Sequence, residues 1–138
     1  MQVDLQLTYK KNTQSQASTK GKQFGNGDIL VASFRTPTAD KMGPGGNGGS
    51  ISVVHYPGPN ASRVVCLSEE AGDFTPNGKN TAWGDSPEVA FNKNPAYGVA
   101  LKPETTYYFN VKNETNEGKP SCGSPDGNCP VLVTLSAR

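Results

Sequence analysis

His55 is the chain's one histidine, and a Ser or Cys triad needs such a base held against its nucleophile. It stands in Ser52-Val-Val-His-Tyr56 and by alternation shares a strand face with Ile51 and Val53, the place of a packed or rim histidine. No Gly-x-Ser-x-Gly elbow accompanies it. Gly43-Pro-Gly-Gly-Asn-Gly-Gly49 is glycine-rich, but no Gly-Lys-Ser/Thr follows, so it reads as a hairpin connection and not as a phosphate loop. Glycoside hydrolysis needs two carboxylates at a set separation. The candidates Glu69, Glu70 and Asp73 all fall in one polar loop, where neighbouring carboxylates are ordinarily solvated. The residues favour binding over catalysis, and no enzyme is expected.

Aromatic side chains in turn-rich segments are the better clue to binding. Trp83 lies in Lys79-Asn-Thr-Ala-Trp-Gly-Asp85, and Tyr97 follows Asn94-Pro-Ala. Flat aromatic faces stack on sugar rings while amides and carboxylates bond the hydroxyls, so Trp83 and Tyr97 with Asn80, Asp85 and Asn92 form a candidate carbohydrate site. The other reading of Trp83 is a lid folded back over one end of the core. Calcium could find oxygen ligands in Asp126 and Asn128, or in Asp73 with Asp85, but no Asp-x-Asp-x-Asp run is present and such residues serve equally as turn formers. No cofactor and no metal is expected.

Of the three cysteines, Cys122 and Cys129 flank the turn sequence Gly-Ser-Pro-Asp-Gly-Asn, which should bring their sulfurs together. A disulfide there implies an oxidising compartment, so an extracellular or cell-surface location is expected. Two reduced thiols at a loop base are the alternative. Zinc lacks ligands, since there is one His and no second Cys pair. Cys66, in Ser62-Arg-Val-Val-Cys-Leu-Ser68, reads as a small buried hydrophobe. Two Asn-x-Ser/Thr sequons, at Asn60 and Asn113, lie in turn-like surroundings compatible with glycans.

The elements that must position these groups are strands. With 138 residues the chain can bury a core as one domain, residues 1–138. Sixteen Gly and eleven Pro mark many turns, and no segment has a helical period. A net charge of +1 with scattered Lys and Arg lacks the basic stripe of a nucleic-acid binder. No apolar run reaches membrane-spanning length, so no membrane insertion is expected. Val3, Leu5, Leu7 and Tyr9 alternate in a first strand and not in a signal peptide. Residues 10–27 read as a long mobile loop and 36–49 as a flexible excursion. Strands are expected over Ile29 to Phe34, Ile51 to Tyr56, Arg63 to Leu67, Glu88 to Phe91, Val99 to Leu101, and Val131 to Leu135. The stretch from Ser68 to Ser86 reads as irregular.

Leu101-Lys-Pro-Glu-Thr-Thr-Tyr-Tyr-Phe-Asn-Val111 reads as a turn feeding a strand, with Tyr107, Phe109 and Val111 on one face and Tyr108 and Asn110 on the other. The spacing resembles the E–F corner and F strand of fibronectin type III-like and immunoglobulin-like sandwiches. The resemblance implies that the Tyr107 hydroxyl ties back to the backbone upstream. More loosely, the Ser68-Glu-x-x-Gly-Asp-Phe74 segment, this strand and a closing Cys pair resemble small all-β accessory domains of bacterial secreted proteins. The expected fold is all-β: one β-sandwich of about seven to eight antiparallel strands, immunoglobulin or fibronectin III-like, with a jelly roll as the alternative. The expected function is non-catalytic extracellular binding, carbohydrate-binding or adhesive, with a polysaccharide or glycan surface as partner. The alternative is a structural subunit of a surface filament or virus particle, meeting neighbouring copies; a hydrolase comes third.

Overall fold

The computed structural model describes residues 1–42, 48–56, 62–113, 122 and 127–138. They form nine strands: β1 (Gln2–Gln6), β2 (Thr13–Ser18), β3 (Ile29–Arg35), β4 (Gly49–His55), β5 (Arg63–Ser68), β6 (Thr81–Gly84), β7 (Glu88–Ala90), β8 (Thr106–Asn113) and β9 (Val131–Ala137). One sheet has the order β1-β3-β8-β5-β6 and the other β2-β9-β4-β7.

The pairing is nested. β2 lies antiparallel to β9, β3 to β8, β4 to β7 and β5 to β6. A long hairpin rolled up so that successive pairs alternate between two sheets has this pattern, which is a jelly roll. Of the two topologies that the strand count allows, the structure has the jelly roll. β1 is an addition to it, lying parallel to β3 on the sheet edge.

Alternation builds the core. β9 turns Val131, Val133, Leu135 and Ala137 inward, and β4 contributes Ile51 and Val53. Tyr107, Phe109 and Val111 of β8 face them from the other sheet, with Leu30, Ala32 and Phe34 of β3. At one end Tyr9 stacks on Phe34 at 6.1 Å, and Phe34 stacks on Tyr107 at 5.7 Å. Such offset pairs add about 0.5–1.5 kcal/mol beyond their burial.

Three expectations change. Residues 10–27 hold β2, whose Thr-Gln-Ser-Gln-Ala-Ser sequence lacks an apolar signal. It is held on β9 by the ladder and by Gln14 and Gln16 amides donating to Ser136 and Thr134 hydroxyls. Within the stretch from Ser68 to Ser86, residues 81–84 are β6. Val99 to Leu101 is no strand, only a single bridge from Val99 to Phe91, because the chain turns at once into the Tyr107 corner. Residues 43–47 of the glycine-rich segment lie outside the described residues, and a 3-10 turn occupies Ala39–Lys41.

The corner is closed by two groups. The Tyr107 hydroxyl accepts from the Lys102 N–H at 2.8 Å. Buried Thr36 donates its hydroxyl to the Lys102 carbonyl and accepts from the Thr105 N–H. The second tie comes from β3's far end and has no counterpart in the corner's own sequence.

Candidate binding surface

β5 places Val65 and Leu67 in the core and Val64 on the outside. Residues directly opposite on paired strands share a face, so Trp83, opposite Val64, points outward as well. It is 79% exposed, which excludes the lid reading. Lys112 is opposite Val64 on the other side and carries its ammonium 4.9 Å above the Phe74 ring. An apolar and cationic strip therefore crosses the sheet from the β6 edge inward: Trp83, Val64, then Lys112 capped by Phe74.

The turns around β6 fix that strip. Asn80 donates its side-chain amide to the Leu67 carbonyl at 2.9 Å, holding the 3-10 turn Gly78–Asn80 against β5. At the other end of β6, the fully buried Arg63 guanidinium donates to the Asp85 carbonyl at 2.9 Å. Burial lowers the Arg63 pKa to about 10, and the Asp85 charge opposes that shift. Asn92 lies beyond β7, where its side-chain oxygen accepts from the Asn94 N–H. Asn94 does the same for Ala96, and these two turns leave Tyr97 70% exposed. The expected site residues therefore divide: Asn80, Trp83 and Asp85 surround β6 of the five-stranded sheet, while Asn92 and Tyr97 follow β7 of the four-stranded sheet. Each of the three polar side chains or its backbone is engaged in holding a turn.

The Ser68–Phe74 segment is a loop held over the outer face of β8. Fully buried Asn110, on the outer face of β8, donates to the Glu70 and Asp73 carbonyls and accepts from the Gly72 N–H at 2.8 Å. Asp73 accepts from the Thr75 N–H and hydroxyl and from the Ser68 hydroxyl. These bonds lower its pKa, the Thr75 bonds most. Glu69 pairs with Lys102 at 3.0 Å on the surface. The Asp73 carboxylate is thus committed to the loop and that of Glu69 to a surface ion pair. His55 is exposed at the end of β4. Among the described residues no group of three or more His, Cys, Asp or Glu could hold a metal ion. Asn128 accepts from the Phe24 N–H, and Asp126 lies outside the described residues.

Cys122 and Cys129 form a disulfide with Cα atoms 5.4 Å apart; residues 123–126 of the turn between them lie outside the described residues. The bond agrees with an extracellular or cell-surface location. Cys66 is buried, and its pKa is pushed up to about 11 by burial and by Asp73. Asn113 is 5% exposed, so its side chain is closed to a glycan; residues 114 and 115 of that sequon and Asn60 lie outside the described residues. No helix among the described residues is long and apolar enough to cross a membrane.

The geometry defines a jelly-roll sandwich with Trp83 exposed on the last strand of its five-stranded sheet. No protein-family model and no curated protein matches the chain. Two solved structures are similar over the full length of both chains. One is the Aeromonas hydrophila periplasmic inhibitor of g-type lysozyme, at 13% identity and a TM-score of 0.48. The other is CorA, a surface-associated copper-binding protein of Methylomicrobium album BG8, at 9% identity and a TM-score of 0.46. The expectation of a polysaccharide or glycan partner is corrected here. The residues expected to cradle a sugar are divided between strands of two sheets, and the three polar ones are engaged in holding turns.

Proposed function

We propose that this chain is a non-catalytic extracellular binding module that docks an extended segment of a partner protein along β6, with Trp83 as the anchor. The observation that carries the reading is Trp83, 79% exposed on the last strand of its sheet. Tryptophan is the residue most enriched among interface hot spots. An edge strand presents unpaired N–H and C=O groups that an extended peptide can pair with, while alternate side chains enter neighbouring pockets. The strip of Val64 and Phe74-capped Lys112 beside Trp83 offers apolar contact and one positive charge to such a segment. The disulfide supports the extracellular part of the reading.

The test is a display selection of random extended peptides on the whole domain, followed by affinity measurement on wild type and on Trp83→Ala. The reading expects enriched peptides whose affinity falls about 30-fold in the variant, the effect of a 2 kcal/mol hot spot. Peptides that bind both proteins equally would place docking elsewhere and overturn it.

A further inference from the structure

At the end of the sandwich where Tyr9 stacks on Phe34, a cavity of about 440 Å³ is lined by Tyr9, Lys10, Lys11, Pro37, Asp40 and Lys41. We propose that it is a second site, independent of Trp83, for a small organic anion: a carboxylate or phosphate carried on a flat apolar body.

The construction is specific. Thr13 donates both its N–H and its hydroxyl to the Lys10 carbonyl, with Asn12 in the left-handed region at φ 65°. This tight turn projects Lys10 and Lys11 directly after the buried Tyr9. Across from it, the 3-10 turn Ala39–Lys41 carries Asp40 and Lys41. Buried Met42 anchors that turn in the core, and its N–H bonds the Ala39 carbonyl. Three lysines thus line one cavity with a single acidic residue. Asp40 stays ionised, its pKa lowered by hydrogen bonding from the Thr38 side chain and its own backbone and by the Lys41 charge, so it offsets one lysine of the three and leaves the cavity net positive.

The floor favours an organic ligand over a bare ion. Tyr9 and Pro37 supply apolar walls, and the Tyr9 ring is held flat by Phe34, 6.1 Å away with 21° between the planes. The Tyr9 hydroxyl is buried without a hydrogen-bond partner among the described residues, so a donor is left over on a residue that lines the cavity. Buried polar groups are nearly always paired. Cations above a low-dielectric floor attract an anion more strongly than the same cations spread over open surface.

The probes are phenyl phosphate, benzoate, inorganic phosphate and neutral phenol, titrated into the isotope-labelled whole chain and followed by nuclear magnetic resonance. Phenyl phosphate and benzoate are expected to give saturable shifts confined to Tyr9, Lys10, Lys11 and Lys41 and their neighbours. Inorganic phosphate and phenol should each bind more weakly, and added salt should weaken the anions. Lys11→Gln and Lys41→Gln should each lower the affinity about three- to fivefold, while Lys79→Gln should not. Shifts spread equally over Lys79 and Lys93, or affinity unchanged in both variants, would overturn the site. Inorganic phosphate binding as tightly as phenyl phosphate would overturn the assignment to an organic anion. Neither result touches the Trp83 reading.

Discussion

Asn110 of β8 holds Gly72, 38 residues earlier in the chain, by accepting its N–H at 2.8 Å. The same side chain donates to the carbonyls on either side, of Glu70 and Asp73, so one buried amide shapes the loop that covers the outer face beside Trp83. Asn110→Ala strands three backbone groups at once. The expected cost is about 2–3 kcal/mol, since each buried group left unpaired loses its compensation for dehydration. Urea denaturation measures that cost, and hydrogen exchange at Gly72 should accelerate beyond what the global loss explains.

Tyr107→Phe removes only the hydroxyl that accepts from Lys102. A loss of about 1 kcal/mol is expected, read as a lower urea midpoint with an unchanged slope. An unchanged midpoint would mean that Thr36 alone holds the corner.

Thiol titration of the non-reduced chain in denaturant should find one free thiol, that of Cys66, beside the Cys122–Cys129 bond. In the folded protein Cys66 should react slowly, being buried with its pKa raised. Reduction should cost about 2.5 kcal/mol in the chain-entropy account of so short a loop. Three free thiols would contradict the disulfide.

Stability should fall at alkaline pH. The unfolded chain releases the Cys66 proton near pH 9, whereas the folded chain holds it to about pH 11. The folded state therefore binds more protons in that window, and stability decreases as pH rises through it. Tyr9 and Tyr107, both raised mainly by burial, act in the same direction. Cys66→Ala should flatten the decline between pH 9 and 11, measured by denaturation midpoints across that range.

The parts of the fold legible in the sequence are those where burial is written as alternation. Val131 to Leu135, Ile51 to Val53 and Tyr107 to Val111 each show one apolar face, and the Tyr107 corner and the Cys pair are local in sequence. β2 was hidden because its period is carried by Thr, Gln and Ser, which pair with β9 through side-chain amides and hydroxyls. β6 was hidden because four residues between turns look like loop. Sheet order was not legible either: the nesting of β2 with β9 joins residues more than 110 apart, and no spacing encodes it. For the site, Trp83 was found by its residue type. Its exposure was not, because that follows from standing opposite Val64 on a strand that the pattern did not reveal. Asn110 was placed on the correct face of its strand, but its burial depends on the Ser68–Phe74 loop folding back over it.

The most direct measurement is acrylamide quenching of Trp83, the chain's one tryptophan, in the free domain and with a selected peptide bound. The account predicts a red-shifted, readily quenched indole that becomes blue-shifted and protected, saturably, as peptide is added. An indole already shielded in the free domain, or one whose quenching the bound peptide leaves unchanged, would contradict it.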